Sequence, residues 1–493
     1  MRIALGSDQL DWTSTDPAAT QYPFNPWQVE FQYATCAKLV TYPDSSGPAG
    51  KMLVPEIAAA LPTVSDAGRT YTFRIRHGYR FSPLSNAPVT AESFRHAIER
   101  FLSPTLQPGP WNLAVLADVV GANAYHAGKA AHVSGISAHG DTLVIRLLRA
   151  ATDLPSRLAL PNFCAVPAGL PVAYQGLHDP IPSAGPYYLA DRAQNVLVLK
   201  RNPNYQGPRP HGPDAIVYRM NVDVGDAVAQ IEQGKLDLVL EDDPALAPTS
   251  AAAREAGPRY REVPKNWISL LALNTRRPLF ADSRVRRAVE YAIDRRTLAN
   301  GVGLATSHLL PPNLPDYKRG PTFPLTPDLR AARRLIGDRH LHAVLAAYDP
   351  AADPASAALA AAVRDQLAAL GITVTILPLH GDDDPTTPAR LAHADLATVG
   401  RNASQTLDPV DYLAGLPYLP SADHARLEQI ARLSPPYRAA AAAALTARLE
   451  SEAVYVPYAD GAIPELVSKR LGCIVHQPEY PGVDLAALCL RNR

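Results

Sequence analysis

The sequence predicts an α/β protein of several domains. Three observations carry that prediction. Short runs alternate polar and apolar residues with period two, as half-buried strands do. Runs with apolar residues three and four apart stand between them, as one-sided helices do. The connections are short and punctuated by Gly, Pro and Asn, and helices alternating with strands on such links indicate α/β architecture. The 493 residues suggest two to four domains on a prior of about 150 residues each.

The elements follow in order. "RIAL" reads as a strand directly after Met1, and "TYTFRIR" (Thr70–Arg76) as a second, turned by Gly78. "VTAESFRHAIERFL" places Phe94, Ala97, Ile98 and Phe101 on one helical face, with Thr90 as N-cap. "SAGPYYL", "NVLVLKRNPNY" and "DAIVYRMNV" are strands entered or left through turns. "DAVAQIEQGKLDLVL" is a helix, a Gly234 C-cap and a short buried strand. Ala245–Arg259 has weak periodicity and reads as a connector. "NWISLLALN" is a strand, after which Asp282 or Ser283 caps a helix with Val285, Val289, Ala292 and Ile293 on its apolar face. Arg284, Arg286 and Arg287 lie off that face, which reads as structural or solvated. Any ion pair they make at an exposed site is worth about 0–1 kcal/mol. In "DPASAALAAAVRDQLAALGITVTIL", Asp353 caps, Pro354 occupies the first turn, Leu359, Val363, Leu367 and Leu370 form the stripe, and Gly371 ends the helix before a strand.

Composition excludes several function classes. Forty-seven basic and 47 acidic side chains cancel, which argues against a general nucleic-acid binder or a polybasic membrane protein. No apolar run of about 18 residues predicts a transmembrane helix. "MRIALGSDQLDWTSTDP" lacks the apolar core of a signal peptide. Four cysteines contain no CxxC pair, so no zinc site is expected. Cys473 and Cys489 are placed to close a disulfide across a C-terminal hairpin in an exported protein, while Cys36 and Cys164 read as buried free thiols. "HGDDDP" (His380–Pro385) lacks the spaced oxygens of a calcium loop, and His340 and His342 have no ligand cluster. No GxSxG, HExxH or phosphate-cradling loop occurs, so catalysis has no support and no cofactor is expected.

Four phrases, in this order and spacing, carry a resemblance: "LVPEIAAALPTVSDAGRTYTFRIRHGYRFSPLSNAPVTAESFRHAIERFLSP", "SAGPYYLADRAQNVLVLKRNPNYQG", "AQIEQGKLDLVL" and "NTRRPLFADSRVRRAVEYAIDR". Together they resemble the family 5 extracellular solute-binding proteins of bacterial ABC importers, the oligopeptide- and dipeptide-binding proteins. The resemblance implies a two-lobe, periplasmic-binding-protein-like fold (type II, three subdomains) hinged by two crossing strands. Residues 1–37, 182–262 and 456–493 would form the first lobe, with 38–181 as its inserted subdomain, and 263–455 would form the second lobe. It implies closure on a ligand, a small peptide or peptide-like solute passed to permease subunits by a monomer.

Members of the family commonly hold the ligand's amino terminus with an aspartate in a segment resembling Gly-Trp-x-Ala-Asp-Tyr-x-Asp-Pro. The matching stretch is "VGRNASQTLDPVDYL", in which Gly400 and Asp408-Pro409 align. Arg401 and Asn402 follow Gly400, Arg401 taking the tryptophan position, and the aspartate position falls on Ser404 or Gln405, depending on the end counted from. Neither is a carboxylate, and an unpaired ammonium in a closed site is costly. Arg401 supplies a cation able to grip a carboxylate or phosphate with two parallel bonds, so an acidic or neutral polar ligand is expected. The alternative leaves Arg401 in solvent and takes a carboxylate from elsewhere. Tyr22, Phe24 and Trp27 in "TQYPFNPWQ" form an aromatic wall that the family resemblance places on the ligand; Trp27 reads equally as core at the start of a helix. Trp267 and Asn274 bracket a strand expected to line the site.

The first expectation is therefore a non-enzymatic receptor at the extracellular or periplasmic side of the envelope, lipid-anchored before processing. The second, suited to a native start at Met1, is a cytoplasmic protein of the same fold serving a biosynthetic pathway as enzyme or accessory.

Overall fold

The computed structural model describes residues 1–5, 15–20, 26–106, 110–174, 176–210, 212–223, 225–240, 246, 250–314, 322–348, 354–379, 392–402, 407–433, 435–477 and 482–491. Two compact units emerge, Met1–Val263 with Ile463–Arg493, and Pro264–Ala462. The chain leaves the first unit within the strand Tyr260–Leu273 and returns within the strand Tyr455–Val467.

In the first unit, the strand Arg2–Leu5 lies parallel to both Ala215–Arg219 and Leu238–Leu240. Val196–Arg201 and Tyr187–Ala193 extend this sheet antiparallel on one side, and the end of Tyr455–Val467 pairs with Leu238–Leu240 on the other. The predicted alternation is visible as burial: Leu197 and Leu199 are enclosed while Val196 and Val198 are half-buried. A separate antiparallel sheet runs Thr63–Ser65, Thr70–Arg74, Thr142–Arg146, Ile136–His139. The helix Ala91–Leu102 packs on it through buried Phe94, Ala97, Ile98 and Phe101, and Thr90 and Ser93 form a capping box at its start.

One buried ionic cluster ties distant segments of this unit together. The Arg209 guanidinium donates to the Tyr33 carbonyl at 2.6 Å. It stands 3.5 Å from Asp44, 3.5 Å from Asp484 and 3.8 Å from Glu56. Glu56 Oε2 accepts from the Lys38 amide at 2.7 Å, and Lys38 Nζ lies 3.8 Å from the centre of the Tyr33 ring. Gln477 Nε2 donates to both Asp44 and Asp484. Burial, and then the proton shared with Asp44, push the Asp484 carboxyl well above its ordinary range.

Both cysteine pairs are disulfides, Cys473–Cys489 and Cys36–Cys164. The second corrects the expectation of free thiols. Cys36 follows the helix Pro26–Thr35 and Cys164 follows a turn 128 residues away, with Cα atoms 5.3 Å apart. Folding alone brings them within bridging distance. The stretch read as a connector also holds a short helix, Ala251–Ala256, because the Ser250 side chain accepts from the Ala253 amide at 3.0 Å.

In the second unit, Leu341–Tyr348 pairs in parallel with Ile372–Leu379 and with Leu396–Asn402. The helix Pro354–Ala368 supplies the crossover that parallel neighbours require. Its predicted cap, Asp353, lies outside the described residues, as does "HGDDDP". Val363, Leu367 and Leu370 join Val285, Val289 and Ile293 in one buried cluster. Asp282 caps the helix Ser283–Ala292 by accepting from the Arg284 amide at 2.9 Å.

The arginines of that helix divide. Arg284 is exposed on Asp282, and Arg287 is exposed. Of the two readings, structural or solvated, Arg286 takes the first: off the apolar face yet buried, it donates to the carbonyls of Phe280, Ala281 and Glu452. Carbonyls left open at the short helix Pro278–Ala281 supply acceptors that only the fold brings together. Arg295 is wholly buried on Glu290, so that pair is not an exposed one.

Arg209→Met should leave three carboxyls enclosed without their cation. The expected cost is about 3–5 kcal/mol, read as a fall in the urea midpoint at unchanged slope; a loss below about 1 kcal/mol would contradict the cluster's role. Non-reducing peptide mapping of protein matured in an oxidising compartment should recover both linked pairs, and alkylatable Cys36 or Cys164 there would count against the first.

Candidate functional site

The strand Tyr260–Leu273 pairs antiparallel with Leu396–Asn402, opposing Trp267 to Asn402, Ile268 to Arg401 and Ser269 to Gly400. Neighbouring positions alternate across a ladder, so Trp267, Ser269 and Gly400 share one face. The half-buried Trp267 ring covers Gly400 so closely that a Cβ there would lie 2.0 Å from Cζ2. Glycine is required by that approach. The indole Nε1 donates to Ser269 Oγ at 3.2 Å, which orients the ring.

Asn274 ends the strand. Its Nδ2 donates to the Ala394 carbonyl at 3.1 Å, and its Oδ1 accepts from the Arg276 amide at 3.2 Å. These bonds hold the strand end against the start of Leu396–Asn402. Arg401 and Asn402 are the last positions of that strand. Ser404 and Gln405 lie outside the described residues, as do Tyr22 and Phe24, and Trp27 is placed only as the second residue of the helix Pro26–Thr35. The structure therefore sets Trp267 opposite Asn402 in one ladder, with Arg401 at the alternate position opposite Ile268, and places Asn274 at its end. Asp408 caps the helix Pro409–Ala414 and pairs with Arg438.

A second polar group in the same unit was not read from the sequence. The strand Gly303–Ala305 pairs with Tyr455–Val467, opposing Leu304 to Asp460. Asp460 is 5% exposed, and its Oδ1 has no hydrogen-bond partner among the described residues. Burial pushes its carboxyl up to about 7, while a hydrogen bond from Thr306 and the nearby His308 pull the other way. His308 is held by its amide donating to Thr306 Oγ1 at 3.3 Å, with Nδ1 3.3 Å from Thr322 Oγ1 and 3.9 Å from Glu450 Oε1. Glu450 Oε1 also accepts from the Leu309 amide at 2.9 Å. The available signal was a pair of acids, Asp460 and Glu465, inside an otherwise largely apolar strand, "YVPYADGAIPELV".

Among the described residues, no group of three His, Cys, Asp or Glu could hold a metal, and no helix is long and apolar enough to cross a membrane. In the first unit, a cavity of about 20 Å³ beside Cys36–Cys164 has room for a single water. What the second unit offers is an aromatic face, an arginine position and a buried carboxyl. Those groups suit recognition of a polar organic solute.

Residues 52–418 match the family model described as bacterial extracellular solute-binding proteins, family 5 Middle. The chain is 24% identical over 317 residues to "Probable di/tripeptide-binding protein 5" of Pseudomonas aeruginosa (strain UCBPP-PA14), a match spanning 59% of this chain and 57% of that protein. The alignment thus reaches less than two thirds of either. The fold is that of a solved structure named "Clavulanic acid biosynthesis oligopeptide binding protein 2", with a TM-score of 0.79 and 24% identity over 100% of this chain and 95% of the other. It equally matches the unliganded open form of the periplasmic murein tripeptide-binding protein MppA, with a TM-score of 0.79 and 19% identity over 99% and 96%. The architecture is accordingly the two-lobe α/β fold of periplasmic binding proteins.

Gly400→Ala should drive the Trp267 ring out of the ladder. The expected loss is about 1–3 kcal/mol with a shifted tryptophan emission, and Trp267→Ala in the same chain should recover part of it. Wild-type stability and emission in the single variant would refute the packing argument.

Proposed function

The chain belongs to the bacterial extracellular solute-binding proteins of family 5, and on that premise we propose that it is the solute receptor of an ABC importer. It captures a small peptide or peptide-like solute and delivers it to membrane permease subunits. It works as a monomer at the extracellular or periplasmic face of the envelope, anchored there by lipid. The observation that carries this reading is the family match over residues 52–418 together with a full-length fold shared with oligopeptide- and tripeptide-binding proteins. The relatives it resembles are named as binding proteins, and this supports capture without catalysis over an enzymatic or accessory role inside the cell.

Trp267, Arg401 and Asn402, at the end of one ladder, are the proposed contacts, joined by Tyr22, Phe24, Trp27, Ser404 and Gln405. Arg401 meets an anionic group of the solute, such as a peptide carboxylate, with two parallel hydrogen bonds. Such a contact contributes about 1.5–3 kcal/mol. Arg401→Ala is therefore expected to weaken di- and tripeptides roughly ten- to a hundredfold and to abolish any preference for free over amidated carboxyl termini. Calorimetric titration of wild type and variant against a peptide panel is the test. A panel that wild type ignores would defeat the peptide reading; equal binding by both proteins would remove Arg401 from it.

A further inference from the structure

Asp460 breaks a rule that the other buried aspartates among the described residues obey. Asp16, Asp118, Asp237, Asp395, Asp423 and Asp484 each have an arginine within 4.0 Å, namely Arg100, Arg157, Arg2, Arg277, Arg448 and Arg209. Among the described residues no arginine or lysine pairs with Asp460, although it is as deeply enclosed as they are. Its Oδ1 is left open, and the groups beside it are a hydroxyl and an imidazole. A buried carboxylate without a counter-charge is strongly disfavoured. An arrangement of this kind is completed when a cation arrives from outside the chain.

We propose that Asp460 is the anionic anchor for an ammonium group of the bound solute, with Thr306 orienting the carboxyl. This deepens the receptor reading and rests on it. Primary amines fit best. A compact ammonium presents three donors and no acceptor, so it would satisfy the enclosed, unpartnered Oδ1 while Thr306 keeps its own bond. The counter-charge absent at Ser404 and Gln405 would then lie on a different strand. Paired with Arg401, it would select a zwitterion, and the expectation of a purely acidic or neutral ligand gives way.

The titration of Asp460 adds a signature. Its folded value, raised to about 7, exceeds the ordinary carboxyl value of about 4. In unliganded protein the raised value favours folding at low pH, and that contribution is lost as pH rises through 7. For the amine the sign reverses: below about pH 7 a proton occupies the anchor, and affinity falls. The ionisable group beside it is His308, after the strand Gly303–Ala305 and itself 3.9 Å from Glu450 on the helix Pro435–Ser451; Tyr458 stands two residues away on Asp460's own strand, Tyr455–Val467, its hydroxyl hydrogen-bonded to Ser269. Protonation of His308 would oppose an ammonium too, so the aspartate variant is needed to separate the two.

The test titrates wild type and Asp460→Asn with alanine di- and tripeptides, free or N-acetylated, and with non-peptide primary amines and polyamines, at pH 8 and pH 5.5. Free-amine probes should bind Asp460→Asn ten- to a hundredfold more weakly than wild type, acetylated peptides equally. Wild type should lose amine affinity between pH 8 and 5.5, and the variant should lose far less. If free-amine peptides bind both proteins alike, the anchor is overturned while the receptor reading stands. If only non-peptide amines bind, and do so through Asp460, the anchor stands and the peptide reading falls. If no amine binds wild type, the anchor is overturned. Asp460→Asn should melt no lower than wild type at pH 8, since it removes a buried charge. Should it fail to fold, the wild-type pH profile decides: affinity for a free amine that is flat from pH 8 to 5.5 overturns the proposal.

Discussion

The Arg209 guanidinium is the charge around which the first unit closes. It holds three carboxyls that come from residues 44, 56 and 484, and it bonds the carbonyl of Tyr33. The C-terminal segment, separated from the amino-terminal one by more than four hundred residues of sequence, is brought home through Gln477 and Asp484. A buried group of this kind need not stabilise more than an apolar core of the same shape. Its consequence is register: this arrangement of the segments brings all three carboxyls to Arg209 at once.

The same economy of burial separates structural from functional charge in this protein. Arg100, Arg209, Arg286 and Arg295 are enclosed, and each has carbonyls or carboxylates to meet. Their fixed cationic forks make them suited to such positions. Against that background two buried acids make no ion pair among the described residues: Glu30, which accepts from the Val483 amide at 3.0 Å, and Asp460. In a solute-binding protein such an incomplete pairing has a use. The two crossings of the chain, within Tyr260–Leu273 and Tyr455–Val467, carry Trp267 and Asp460 respectively. The strands that join the units are thus also the strands that present the proposed recognition groups.

Much of this was legible in the amino-acid sequence. Period-two burial of Leu197 and Leu199, the stripe Phe94–Ala97–Ile98–Phe101, the caps at Thr90 and Asp282, and the C-terminal Cys473–Cys489 bridge are consequences of local spacing, and local spacing is what a sequence displays. The family itself was legible because four phrases keep their order along the chain. What the spacing could not carry were relations across long separations. Cys36 and Cys164 look like isolated thiols until 128 residues fold between them. Arg286 reads as either structural or solvated until the carbonyl of Glu452 is placed against it. Gly400 is one glycine among 29 until the Trp267 ring covers it. Asp460 is ordinary as a letter and unusual only once no arginine or lysine among the described residues is found to pair with it. The sequence alone determined the elements, their faces and the family, since each depends on side chains a few positions apart. The tertiary structure decided which charges are paired, which thiols are joined and which acid is left open, because burial is a property of contacts that no local pattern encodes.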